Sequence, residues 1–148
     1  MKTPQHHVNV DGYFIEDLGL GMEAVFAKTI TEADIVLFSG VTGDMNPVHV
    51  NEEFAKETMF KGRIAHGMLT GSLISTVLGM KMPGPGCIYI SQTLNFKAPV
   101  RPGDTAVAHA EIINIDMARK RITMATKVSV ADKVVLDGEA KMLVRSRT

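Results

Sequence analysis

Between His66 and Lys81 the chain carries no charge, and the polar residues in that interval are all small. A segment of this length makes about four helical turns, and a helix that is apolar on every side has to be buried. The rest of the chain must therefore be able to wrap it. After the turn-rich Met82-Pro83-Gly84-Pro85-Gly86, Ile88, Ile90, Leu94 and Phe96 alternate with Tyr89, Ser91, Thr93 and Asn95, the period of a half-buried strand. Three more strands follow. The first spans residues 106–115 and turns near 116–119. The second puts Ile122, Met124, Val128 and Val130 on one face, and the third, past Ala131-Asp132-Lys133, does the same with Val134, Leu136, Ala140, Met142 and Val144.

Upstream, residues 23–30 alternate like a short strand. Thr31-x-x-Asp34 then has the capping-box pattern ahead of the apolar run Ile35-Val36-Leu37-Phe38, so a helix starts here. It should fail between Gly40 and Gly43. Pro47 disfavours helical geometry at Asn46, which predicts an irregular crossing over residues 43–48 and a second helix over 51–58. One strand, a helical half, a buried helix and then strands in succession describe an α+β chain with an antiparallel sheet covering a central helix. That is the hotdog arrangement. Its free sheet edge and apolar faces call for a second copy, so a homodimer is expected. Residues 1–10, polar and without period, read as an N-terminal arm, with His6 and His7 solvated; residues 11–148 read as one domain.

Composition excludes more than it selects. Of 148 residues, 16 are Lys or Arg and 16 are Asp or Glu, so no basic surplus is available to grip nucleic acid or an anionic membrane. A single cysteine, Cys87, permits no internal disulfide and no cysteine-based metal knuckle, which suits a reducing cytoplasmic setting. No basic segment followed by an apolar run opens the chain, so no secretory signal is expected. Residues 64–82 carry too many polar groups for a membrane span.

The densest group of unusual residues is Phe38-Ser39-Gly40-Val41-Thr42-Gly43-Asp44-Met45-Asn46-Pro47-Val48-His49. On an unbroken helix Asp44 and His49 would diverge by about 140°, but Gly43 and Pro47 break it. The resulting overhang lets an acid and an imidazole point into one pocket, where they could hold a water and share its proton transfers. The plainer reading is a turn in which Asp and Asn bond the nearby backbone. His66-Gly67 adds a second feature, because a glycine at a helix start lets a substrate approach free amides where the dipole favours negative charge. For His66 itself a structural hydrogen bond is the leading reading.

Together these residues resemble the MaoC-like, (R)-specific enoyl-CoA hydratase family, whose signature is a Gly-Asp-x-Asn-Pro-hydrophobic-His segment on a hotdog fold. Ala55 sits at the small-residue position beyond it, and the likeness continues through His66-Gly67-Met68, Ile88-Tyr89, Phe96-Lys97-Ala98-Pro99-Val100 and Gly103-Asp104. The resemblance implies metal-free and cofactor-free reversible syn hydration of a trans-2-enoyl thioester to the (R)-3-hydroxyacyl thioester. It implies that Asp44 and His49 activate the water, that the Gly67 amide polarises the thioester carbonyl, and that Ser75 supports the site. Asn46 would orient the overhang, and Asp44 would stand in buried, apolar surroundings. An acyl-CoA substrate also brings phosphates. Lys56, Lys61, Arg63, Lys97 and Arg101 flank the active segments and form a proposed phosphate patch, each also readable as an ordinary solvated charge.

Other patterns carry less. Gly19-Leu20-Gly21-Met22-Glu23-Ala24 matches a dinucleotide fingerprint but leads into a strand-like segment where a helix is required. The ten methionines suit flexible core filling, with some free to line an acyl channel. Three rivals remain. A carrier-protein 3-hydroxyacyl dehydratase usually has a His-Phe-Pro-Gly stretch, absent here. A hotdog thioesterase needs a carboxylate on or near the central helix, and residues 67–80 contain none. A non-catalytic acyl-thioester binding module would not need Asp44, Asn46, His49 and Gly67 together.

Overall fold

A computed structural model describes residues 11–148; the expected N-terminal arm, with His6 and His7, lies outside them. The uncharged segment forms α4 (Gly67–Met80). Around it runs an antiparallel sheet of β1 (Glu23–Thr29), β2 (Ile88–Gln92), β3 (Asn95–Phe96), β4 (Thr105–Asp116), β5 (Arg121–Val130) and β6 (Lys133–Leu143), in the order β1-β4-β5-β6-β2, with β3 also on β6. Three short helices, α1 (Glu32–Thr42), α2 (Pro47–Val50) and α3 (Glu52–Lys56), precede α4. No helix among the described residues is long and apolar enough to cross a membrane.

The core is the seam between α4 and the middle of the sheet. Leu73, Ile74, Val77 and Leu78 of α4 are buried beside Ala106, Ala108 and Ala110 of β4, Met124 of β5 and Ala140 of β6. Alternating alanines leave a shallow floor on which the helix can lie close, and each large aliphatic side chain so buried contributes roughly 1.5–3 kcal/mol.

Four expectations change. Only one side of α4 is buried in the single chain, for Met68 and Met80 stand 57% and 67% exposed beside exposed Ser72 and Ser75. The alternation over residues 88–96 resolves into β2 and β3, and Ile88 and Ile90 are exposed because β2 is an edge strand only partly covered by the other described residues. The irregular crossing is confined to residues 43–46. Pro47 starts α2 rather than breaking it, since its fixed φ and missing N–H suit the first helical position. Finally, β6 bulges opposite Val128–Ser129, so Val135 is buried together with Leu136. The bulged carbonyl of Val135 accepts from the amides of both Lys97 and Ala98, at 2.8 and 3.1 Å, and so ties the segment after β3 to the sheet.

Candidate active site

α1 starts as its sequence requires: the Thr31 hydroxyl accepts from the Asp34 amide and the Asp34 carboxylate accepts from the Thr31 amide. It ends at Gly43, whose φ of 79° is left-handed and strained for any residue with a Cβ. This turn throws Asp44 clear of the helix. Asp44 Oδ1 accepts from the Asn46 amide at 3.1 Å, and Asn46 Oδ1 accepts from the Val48 amide at 3.2 Å, capping α2. The turn reading and the overhang reading are therefore both realised, because local Asx bonding is what builds the overhang.

His49, on α2, is 8% exposed and donates from Nδ1 to the Ile64 carbonyl at 2.8 Å, since a carbonyl can only accept. Nε2 is left as the unprotonated nitrogen of the neutral ring. The His66 ring stacks on that of His49 with centroids 3.9 Å apart and planes 29° from parallel, and Phe38 of α1 lies 4.8 Å from His66 on a tilt of 55°. At the start of α4, the amides of Leu69 and Thr70 both close on the His66 carbonyl. The amides of Gly67 and Met68 stay outside the helix's own ladder and so remain available to a ligand.

Asp44, His49, His66 and Gly67 line a cavity of about 520 Å³, with Phe96, Val100, Val135 and Leu136 among its apolar walls. The sequence-predicted dyad and amide thus meet in one place. Two expectations do not hold as stated. Asp44 is exposed rather than enclosed by apolar surroundings, because the turn at Gly43 carries it clear of α1. Ser75 faces outward from α4 into a neighbouring depression walled by Tyr89, Ser91 and Gln92; Met68 borders both spaces.

The proposed phosphate patch is largely occupied. Arg63 donates to both Glu32 carboxylate oxygens and to Glu52, joining the start of α1 to α3, and these partners hold its pKa above the usual arginine value. Glu32 is correspondingly held below the usual carboxylate range, by its hydrogen bond to Arg63 first. Lys97 pairs with Asp137 at 2.9 Å, Lys56 pairs with Glu53 at 3.3 Å, and the Arg101 guanidinium donates to the Phe60 carbonyl. Lys61 is exposed and makes no ion pair among the described residues.

Asp44, His49 and His66 also bring one potential ligand atom each to within 4.8 Å of one another. The ring stack works against a shared ion. Imidazole lone pairs lie in the ring planes, and stacked rings direct them along separate planes, whereas zinc needs nitrogens about 2.0–2.1 Å away on converging axes.

The roles of several residues escaped the sequence reading. Ser39 is 2% exposed with its Oγ 3.1 Å from His66 Nε2, and Phe96 packs so closely on Gly67 that a Cβ there would lie 2.8 Å from its ring. The Ile64 carbonyl that orients His49 carries no signal in residue type. Ser39 stood in the dense group of unusual residues, but nothing nearby assigned it a role, because its partner lies 27 residues away.

Residues 17–134 match the family model described as MaoC like domain. An (R)-specific enoyl-CoA hydratase of Rhodospirillum rubrum is 50% identical over 135 residues, covering 91% of this chain and 94% of that protein. A 3-hydroxybutyryl-CoA dehydratase of Methylorubrum extorquens is 50% identical over 131 residues, covering 88% and 83%. Among solved structures, the unliganded R-hydratase PhaJ1 from Pseudomonas aeruginosa superposes with a TM-score of 0.87 at 42% identity, covering 92% of this chain and 88% of that one. The sheet wrapped on α4 is the hotdog fold, and the chain belongs to the MaoC-like family.

Proposed function

We propose that the protein is an (R)-specific enoyl-CoA hydratase, adding water reversibly and syn across a trans-2-enoyl-CoA to give the (R)-3-hydroxyacyl-CoA, with no metal or added cofactor. One observation carries this reading: His49, its Nδ1 engaged by the Ile64 carbonyl and its Nε2 left free, and the Asp44 carboxylate line one cavity with the unladdered Gly67 amide. Water held between Asp44 and His49 attacks C3. One of its protons goes to the pair and a proton returns from the pair to C2 on the same face, so the elements of one water are added. Because the two groups exchange that proton, they are best treated as one coupled unit. Charge that builds on the thioester oxygen is met by the Gly67 amide at the positive end of α4, the kind of donor whose loss costs about 2.7–4 kcal/mol of barrier lowering. Asn46 holds the overhang, and Ser75 supports the site from the adjoining depression. Of the five basic residues, Lys61 and Arg101 make no ion pair among the described residues, and Lys61, which is exposed and has no carbonyl partner, is the preferred phosphate contact.

The proposal includes a homodimer in a reducing cytoplasmic setting. The outer edge of β2 and the exposed face of α4 form one surface, carrying Ile88, Ile90, Met68 and Met80, that suits a second copy; light scattering after gel filtration reports the mass directly.

Loss of the conjugated enoyl absorbance of crotonyl-CoA, followed by chiral analysis of the product, tests the activity. Asp44→Asn and His49→Ala should each lower the rate by about 10²–10⁴-fold with folding intact, and near-normal rates in either would overturn the mechanism. Turnover of carrier-protein thioesters alone would replace the substrate class.

A further inference from the structure

We propose that Ser39 and His66 form a latch that positions Asp44 and His49, with His66 working as the neutral Nε2–H tautomer. The inference rests on the hydratase reading above. His66 is 2% exposed, and its Nε2 lies 3.1 Å from the Asp44 carbonyl and 3.1 Å from Ser39 Oγ. A carbonyl only accepts, so Nε2 must carry the hydrogen, and the Ser39 oxygen receives a share of it. The His66 bond is the one that the Asp44 carbonyl receives among the described residues. Without it the segment between left-handed Gly43 and Asn46 would hang on side-chain turns alone.

The same ring backs His49. Its face lies against the His49 imidazole at 3.9 Å, while the Ile64 carbonyl holds the His49 edge. One side chain therefore touches both members of the dyad, from a base buried against Phe38 and Ser39. A neutral His66 also spares His49 a like charge at that distance when it takes a proton from water.

What marks this as a positioning device is the other ring nitrogen. With Nε2 protonated, Nδ1 holds a lone pair, and it is buried with no hydrogen-bond partner. A buried polar atom without a partner is unfavourable and calls for an explanation. Phenylalanine would fill the slot between Phe38 and His49 without that atom, so packing alone does not select an imidazole. The edge that packing does not need is the one bonded to Asp44.

Three variants separate the latch from a merely structural role. His66→Phe keeps the stack and removes the donor; His66→Gln loses the ring but places an amide N–H where Nε2–H stood; Ser39→Ala removes the anchor. His66→Phe should melt within a few degrees of the parent, since it removes the unpaired Nδ1. Its kcat on crotonyl-CoA should fall by about 10²-fold while KM changes less than about threefold. His66→Gln should recover kcat to within about tenfold of the parent, and Ser39→Ala should fall between the two. Parental kcat in His66→Phe, or equal losses in folded His66→Phe and His66→Gln, would overturn the latch. If His66→Phe does not fold, parental kcat in Ser39→Ala combined with a poorly active, folded His66→Gln would do the same. Long-range proton–nitrogen NMR of the parent reads the His66 tautomer independently of turnover. Protonation at Nδ1 would refute the latch even in an active hydratase, and an Nε2–H ring in an inactive protein would leave the latch standing while the hydratase reading fell.

Discussion

Gly67→Ala puts a Cβ where the structure has no room. It would lie 2.8 Å from both Cδ1 and Cε1 of Phe96, and ring and backbone would have to part by about 0.6 Å to reach the 3.4 Å at which ordinary contact begins. Phe96 is 56% exposed, so much of the strain can be relieved by the ring swinging outward, and the variant should melt within a few degrees of the parent. The remainder falls on the backbone that carries the Gly67 amide. Misplacement by about 1 Å can cost 10²-fold in rate, and a residual displacement of about 0.3 Å, half of the gap, predicts about a fourfold loss in kcat/KM, or about 0.8 kcal/mol of barrier. The assay is hydration of crotonyl-CoA by parent, Gly67→Ala, Phe96→Ala and the double variant, read as a double-mutant cycle. With the ring absent, adding the Cβ should cost less than about 1.5-fold. A Gly67→Ala enzyme as fast as the parent would refute the steric argument. An equal penalty with and without Phe96 would show that the methyl obstructs the substrate rather than displacing the amide.

Arg63→Met should lower stability by about 1 kcal/mol through loss of the Glu32 and Glu52 pairs while leaving KM for the CoA substrate within about twofold; a large rise in KM at unchanged melting temperature would return Arg63 to the phosphate patch. Asp34 is held below its ordinary value of 3.8, first by the hydrogen bond from Lys28 and then by the Thr31 amide. A carboxyl lowered on folding adds stability above its unfolded value and loses it as pH falls through the folded one. Asp34→Asn should therefore melt below the parent at pH 7, and the gap should close as pH drops below 3.8. A gap independent of pH would assign Asp34 a capping role without charge.

Much of this architecture is legible along the chain because it depends on near neighbours. The capping box at Thr31–Asp34, the arrest of α1 at Gly43 and the span of α4 follow from side chains within one turn of where they act. The overhang is readable for the same reason: Asp44 and Asn46 build it through bonds two residues long, and Pro47 starts the next helix. Pro47 misled only by position, since the residue that stops one helix starts the next.

What could not be read depends on the distance between elements. An apolar segment does not state which of its faces a single copy of the chain will cover, so α4 was expected buried all round and is covered on one side. A charge does not announce its partner, and Arg63 and Lys97 were free to be phosphate ligands until Glu32, Glu52 and Asp137 came within reach. A bulge shifts the alternation by one, which moved Val135 inward. Local patterning along the chain specifies a helix that must be wrapped, the strands to wrap it, and an acid–imidazole pair on a broken helix. Only the tertiary structure decided that Ile64 sets the His49 tautomer, that Ser39 and His66 hold the overhang, and that Phe96 guards Gly67. Those contacts join segments 15 to 29 residues apart, and it is the wrapping of the sheet on α4 that brings them within bonding distance.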